Sequence, residues 1–128
     1  MRHLVSAMLV IVGIIHLLPL SGVVGAEHLA RLYGLAFTDA NLVVLMRHRA
    51  VLFGMLGLFL IFAAFRPEML PVALIAGFIS VVSFLWLAWP QDAHNANIAT
   101  VFNVDLLALA CLVIAVIAWL IDPDRGTF

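Results

Sequence analysis

Four long apolar segments, separated by short polar stretches, dominate the pattern of hydrophobic and polar positions along the chain. They cover residues 4–24, 41–65, 69–89 and 99–121. A helix needs about 20 mostly apolar residues to cross a bilayer, and each segment meets that length. The pattern predicts an all-α integral membrane protein: one domain in which four transmembrane helices run up, down, up and down.

The polar residues between the segments fit this division. Arg66, Pro67 and Glu68 predict a tight turn between the second and third helices, and Pro71 suits a first helical turn, where a missing N–H is harmless. Residues 90–97 predict a polar loop. Tryptophan is enriched where membrane helices meet water, and three tryptophans mark segment ends here: Trp86, Trp89 and Trp119.

The region between the first two segments allows more than one interpretation. Residues 26–33 are expected to form one or two turns of helix lying at the membrane interface. The first segment also has features of a signal peptide cleaved after Ala26, which would leave three spans, although His16 interrupts its apolar run. Both interpretations stay open at the level of sequence.

Composition and charge exclude several classes of protein. The chain of 128 residues is 66% apolar and 10% charged, against roughly 25% charged in soluble domains. A net charge of −1 offers no basic face for nucleic acid. The apolar composition makes the lipid bilayer the predicted partner. If Arg47 and Arg49 lie within the membrane, the remaining arginines favour cytoplasmic N- and C-termini.

Ionisable and polar residues inside the spans are the candidates for function. Such residues are costly in a bilayer and tend to face the interior of a helix bundle. A rise of about 1.5 Å per residue places His16, residues 47–49, Ser83 and Asp105 roughly 9 to 12 Å below one membrane surface, with Asn103 as a companion on the fourth segment. This predicted polar layer consists of His16, Arg47, His48, Arg49, Ser83, Asn103 and Asp105.

Small residues at helical spacing predict close helix packing, because they let membrane helices approach one another. The predicted packing residues are Gly54, Gly57, Gly77, Ser80, Ala108 and Cys111. Asp105 begins the small-residue stripe of the fourth segment, so we expect it to face the bundle and pair with an arginine of the second.

Three interpretations of the polar layer remain. In the first, it contains an ion pair that fixes helix register; in the second, it is a polar pocket for a ligand, a quinone headgroup or a proton; in the third, Arg47 and Arg49 reach back to the interface. For His16 the alternatives are a structural residue, a ligand-contacting or proton-handling residue, and a metal or haem ligand.

The sequence predicts no metal site, since its single cysteine, Cys111, belongs to no zinc-binding motif. No phosphate-binding glycine motif or nucleophile elbow occurs, so no catalytic residue is predicted.

Three stretches resemble the DoxX-like group of small bacterial four-helix membrane proteins. They are residues 13–19 (GIIHLLP), 32–35 (LYGL) and 49–60 (RAVLFGMLGLFL). The resemblance implies a four-helix bundle in the bacterial inner membrane, with Arg49, Asp105 and His16 lining a site between helices. Some members of that group are linked to quinone-coupled redox systems. The chain departs from the group's pattern at Arg47 and His48, and it lacks a second thiol.

The leading functional hypothesis is a non-enzymatic membrane protein, either an accessory subunit of a larger membrane complex or a binder of a small hydrophobic molecule. The first alternative is a quinone-linked redox component, in which quinone is the one cofactor considered. The second alternative is a small transporter or a proton-conducting homo-oligomer.

Overall fold

Helices make up the regular structure of the part of the chain that is described. A computed structural model describes residues 2–20, 25–33, 38–88 and 96–122. The helices are α1 (Arg2–Leu17), α2 (Ala26–Tyr33), α3 (Ala40–Ala63), α4 (Leu70–Ala88) and α5 (Ala96–Ile121). No strand occurs within these residues, so the predicted all-helical fold class is confirmed for the part of the chain that the structure describes.

Four helical segments are long and apolar enough to cross a membrane, as predicted. They span Arg2–Leu20, Ala40–Ala63, Pro67–Ala88 and Ala99–Ile121. The short helix predicted at residues 26–33 is also present, as α2. Trp89, residues 90–95 of the predicted loop and the end of the first predicted span at 21–24 lie outside the described residues.

Local chemistry explains where the helices begin and end. Asp39 caps α3, since its side chain accepts a hydrogen bond from the backbone N–H of Asn41 at 2.8 Å. After α3, the chain turns through Arg66 into a 3₁₀ helix at Pro67–Met69 and enters α4 directly. α5 begins at Ala96, three residues before the predicted start at 99. Residues 96 and 97, predicted as the end of the loop, therefore belong to the first turn of α5.

The four long helices form a ring in which the order of neighbours is α1, α3, α4 and α5. α1 and α3 run antiparallel: Ser6 of α1 donates a hydrogen bond to the carbonyl of Ala64, just after α3. Further along α1, Gly13 lies against Gly57, and Leu20 beyond α1 lies against Gly54. Residue numbers along α1 increase from 6 to 13 while those of the residues contacted in or after α3 decrease from 64 to 57, so the two helices run in opposite directions.

Small residues line the interior of the bundle and let the helices approach closely. Gly54 and Gly57 are buried on α3, and Gly77 is buried on α4 against Leu112. On α5, Ala108 and Cys111 are buried as part of the same core. Cys111 therefore faces other helices.

Large apolar side chains cover the outside of the bundle. Only 22% to 28% of the residues in the most apolar part of each long helix are buried. Trp86, Leu87 and Phe65 are each at least two-thirds exposed. Soluble proteins rarely expose contiguous apolar surface on this scale, whereas lipid chains solvate it well.

The contact between Gly13 and Gly57 yields a test of the packing. A methyl group added at Gly57 would lie 2.7 Å from the Gly13 carbonyl oxygen, a backbone atom that cannot move without shifting α1. We expect Gly57→Ala to destabilise the protein by about 1–3 kcal/mol, measured as unfolding in detergent followed by circular dichroism.

Gly77→Ala is the matched control. Its added methyl would lie 3.1 Å from Leu112 Cδ2, the end of a flexible side chain that can rotate away. Both changes gain the same helix propensity, so their difference isolates the backbone clash. Equal stability of the two variants would contradict the close approach of α1 and α3.

Candidate functional site

A cavity of about 420 Å³ lies among the helices and is the candidate site. Its volume falls in the range of pockets that hold small organic molecules, roughly 300–1,000 Å³. Side chains from all five helices and the turn after α1 line it. Its apolar walls are Ile15, Leu18, Pro19, Phe53, Phe84, Val101 and Val104, and its polar groups are His16, Arg31, Tyr33, Arg49, Thr100 and Asp105.

His16 is the buried polar residue of α1, with 3% of its surface exposed. Its Nδ1 lies 2.9 Å from the Val12 carbonyl oxygen, and its Nε2 lies 2.9 Å from Ser80 Oγ. Because a carbonyl oxygen can only accept, Nδ1 carries a proton, and in the neutral ring Nε2 then accepts a hydrogen bond from the Ser80 hydroxyl. Both ring nitrogens thus contact protein groups.

The contact between His16 and Ser80 crosses the centre of the bundle, since α1 and α4 are not neighbours in the ring. The sequence predicted Ser80 only as a small packing residue. Its hydroxyl instead satisfies a buried imidazole, a role that requires knowing which helices face each other.

Arg49 and His16 both contact the aromatic ring of Phe53. The His16 and Phe53 rings stack with centroids 5.6 Å apart, and the Arg49 guanidinium carbon lies 4.5 Å from the Phe53 centroid. Arg49 Nη1 donates a hydrogen bond to the Tyr33 hydroxyl at 2.7 Å. A guanidinium within about 6 Å of a ring centroid is attracted by the ring's quadrupole, so Phe53 holds Arg49 at the cavity wall.

Asp105 lines the same cavity from α5, where it is half-buried. The ion pair that we expected between Asp105 and an arginine of α3 is not formed within 4 Å in the described part of the chain, although the charge of Arg49 acts on Asp105 at longer range. Arg49 turns toward Tyr33 of α2 instead. The expectation failed because α2 brings a hydroxyl acceptor close to Arg49, which the spacing of the spans could not reveal.

The other members of the predicted polar layer do not line the cavity. Arg47 and His48 are exposed on α3, because successive helix residues point about 100° apart and only Arg49 shares the face of Phe53. Ser83 is exposed, and its hydroxyl donates to the backbone oxygen of Ser80 at 2.9 Å. Asn103 is exposed on α5. The layer therefore divides, with His16, Arg49 and Asp105 at the cavity and the other four outside it.

Sequence reasoning missed several cavity residues. Tyr33 is buried with 8% exposure at the end of α2, and a lone tyrosine ending an amphipathic helix was a usable signal. Phe53 follows Arg49 by four residues and so shares its helix face. Arg31 and Thr100 carried no comparable signal in the sequence.

Comparison with protein-family models, curated proteins and solved structures finds no match to this chain. Among the described residues, no group of three or more histidine, cysteine, aspartate or glutamate side chains is placed to hold a metal ion.

The hydrogen bond between His16 and Ser80 predicts a stability effect. Ser80→Ala leaves Nε2 of the buried imidazole without a partner, and we expect a loss of about 1–3 kcal/mol in the free energy of unfolding in detergent. Ser83→Ala is the control, because its hydroxyl is exposed and bonds only within α4. A Ser80→Ala variant as stable as Ser83→Ala would show that Ser80 does not support His16.

The missing ion pair predicts a different outcome for Asp105. Removing one partner of a buried pair typically costs about 3–5 kcal/mol. Because Asp105 has no such partner here, we expect Asp105→Asn and Asp105→Ala to unfold within about 1 kcal/mol of wild type. A loss of about 3–5 kcal/mol would instead indicate that Asp105 forms a buried ion pair with an arginine.

Proposed function

We propose that this chain is a multi-pass membrane protein that binds a small amphiphilic molecule in the cavity. The observation that carries the proposal is the cavity's construction: a space of about 420 Å³ with mostly apolar walls and a few polar groups from different helices. Pockets of this composition bind ligands whose apolar part fills the walls while the polar groups fix orientation.

The proposed setting is a bilayer that the four long helices cross in alternating directions. The antiparallel contacts of α1 with α3 and the exposed apolar side chains support this arrangement. Under the positive-inside rule, the termini lie in the cytoplasm and the cavity in the opposite half of the membrane. The resemblance to DoxX-like proteins supports a bacterial inner membrane.

The polar groups of the cavity suit recognition better than bond-making chemistry. His16 uses both ring nitrogens within the protein, and Tyr33 accepts a hydrogen bond from Arg49. Arg49 and Asp105 are left to face the cavity. The proposal is therefore a binding protein, acting alone or as a subunit of a larger membrane complex.

A quinone is the second candidate occupant, and one arrangement favours it. Two aromatic side chains, Phe53 and Phe84, line the cavity beside the hydrogen-bond donors of Arg49. A quinone carbonyl oxygen would accept from Arg49 while the quinone ring lies against the apolar walls. Such a component should purify with quinone that organic extraction and redox difference spectra reveal.

The test of ligand binding uses a cavity-filling change on α5. Val104 lines the cavity, whereas Leu107 lies outside it and is 56% exposed. We expect native mass spectrometry of the protein, extracted from its membrane in mild detergent, to show a bound small molecule. Val104→Trp should lose most of this ligand, because the indole occupies its space.

Leu107→Trp adds a side chain of the same size to the same helix and should keep the ligand. A wild-type protein that carries no small molecule, or a Val104→Trp variant that carries as much as wild type, would reject the cavity as the binding site.

A further inference from the structure

Arg49 and Asp105 approach the cavity from opposite sides of the bundle. Arg49 lies on α3 and Asp105 on α5, and these two helices are not neighbours in the ring. One side therefore presents a cation and the other an anion. The space between them belongs to the cavity.

Arg49 has hydrogen-bonding capacity left for a ligand. A guanidinium carries five N–H donors in a planar fork. In the described structure, Arg49 donates one hydrogen bond, to Tyr33, and Phe53 fixes one face of the group. The remaining donors stay available at the cavity, and Arg49 is held in place by contacts that do not depend on a ligand.

Asp105 has the complementary capacity. An ionised carboxylate only accepts, and its two oxygens offer about four lone-pair positions. Among the residues described, no side chain lies within ion-pair or hydrogen-bond distance of Asp105, and Arg49 acts on it only through its charge at longer range. A half-buried carboxylate within a membrane bundle is stabilised by a donor, and the cavity is the space from which a bound molecule could supply one.

We infer that the cavity selects an amphiphile whose headgroup is neutral overall and carries both an acceptor, for Arg49, and a donor, for Asp105. This inference rests on the proposed function and names the ligand class for that site. A primary amide or a hydroxylated carbonyl headgroup meets the requirement. The alkyl part lies against apolar walls such as Val104 and Phe84.

Charge balance is the reason for a neutral headgroup. An anionic headgroup would satisfy Arg49 but would face the Asp105 carboxylate, and a cationic headgroup would face Arg49 in the same way. Arg31 also lines the cavity, but its side chain is exposed and it already makes another interaction. Solvent screens its charge more than that of the half-buried Arg49.

The test compares four probes that have a twelve-carbon chain in common and differ in the headgroup. Dodecanamide is neutral with a donor and an acceptor, methyl laurate is neutral with acceptors alone, laurate is an anion and dodecylamine is a cation. Each is titrated separately into the purified full-length protein, and bound probe is measured by native mass spectrometry. We expect wild type to bind dodecanamide about tenfold or more tightly than the other three, the scale of one hydrogen bond to a charged group.

Two charge-removing variants should change the preference in opposite directions. Asp105→Asn removes the anion and should shift the preference toward laurate, while Arg49→Gln removes the cation and should shift it toward dodecylamine. Arg47→Gln and Asp122→Asn remove the same charges from α3 and from the end of α5 at positions outside the cavity. Both controls should keep the wild-type order of probes.

The possible results separate this inference from the proposed function. Wild type that binds all probes equally, or laurate best, overturns the headgroup assignment while leaving a ligand-binding cavity. An unchanged order in Asp105→Asn and Arg49→Gln overturns the roles of these two residues. Absence of binding by every probe, together with a purified protein that carries no ligand, rejects both proposals.

Discussion

The close approach of α1 and α3 at Gly13 and Gly57 is the constraint on which the rest of the structure depends. A methyl group on either glycine would lie within 3 Å of the other's carbonyl oxygen. Because the backbones meet here, His16, three residues further along α1, comes within reach of both Phe53 and Ser80. The polar centre of the bundle is thus built on a contact between two residues that lack side chains.

Polar groups in this apolar bundle fall into two kinds. His16 and Ser80 satisfy each other, which stabilises the centre and costs little even in lipid. Arg49 and Asp105 are held by their helices at one cavity without meeting. Bundles that only need a fixed register can join such charges directly, so their separation around an open space is the feature on which the proposed binding site rests.

Much of the fold followed from local sequence properties. The four apolar helices and α2 could be predicted, since their length, apolarity and flanking polar residues are local. The candidate site was predicted only in part. Position along each helix placed His16, Arg49 and Asp105 at one level, but it does not determine which side of its helix a residue occupies. Arg47 and His48 have the same depth as Arg49 and lie outside the cavity.

The sequence alone determined that the chain consists of apolar helices of membrane-spanning length, because backbone hydrogen bonding and side-chain apolarity act over a few residues. Only the tertiary structure decided which polar groups meet. The hydrogen bonds from Arg49 to Tyr33 and between His16 and Ser80 join residues 16 and 64 positions apart. Such pairings depend on how helices rotate and tilt when their small residues come into contact, which no single helix specifies.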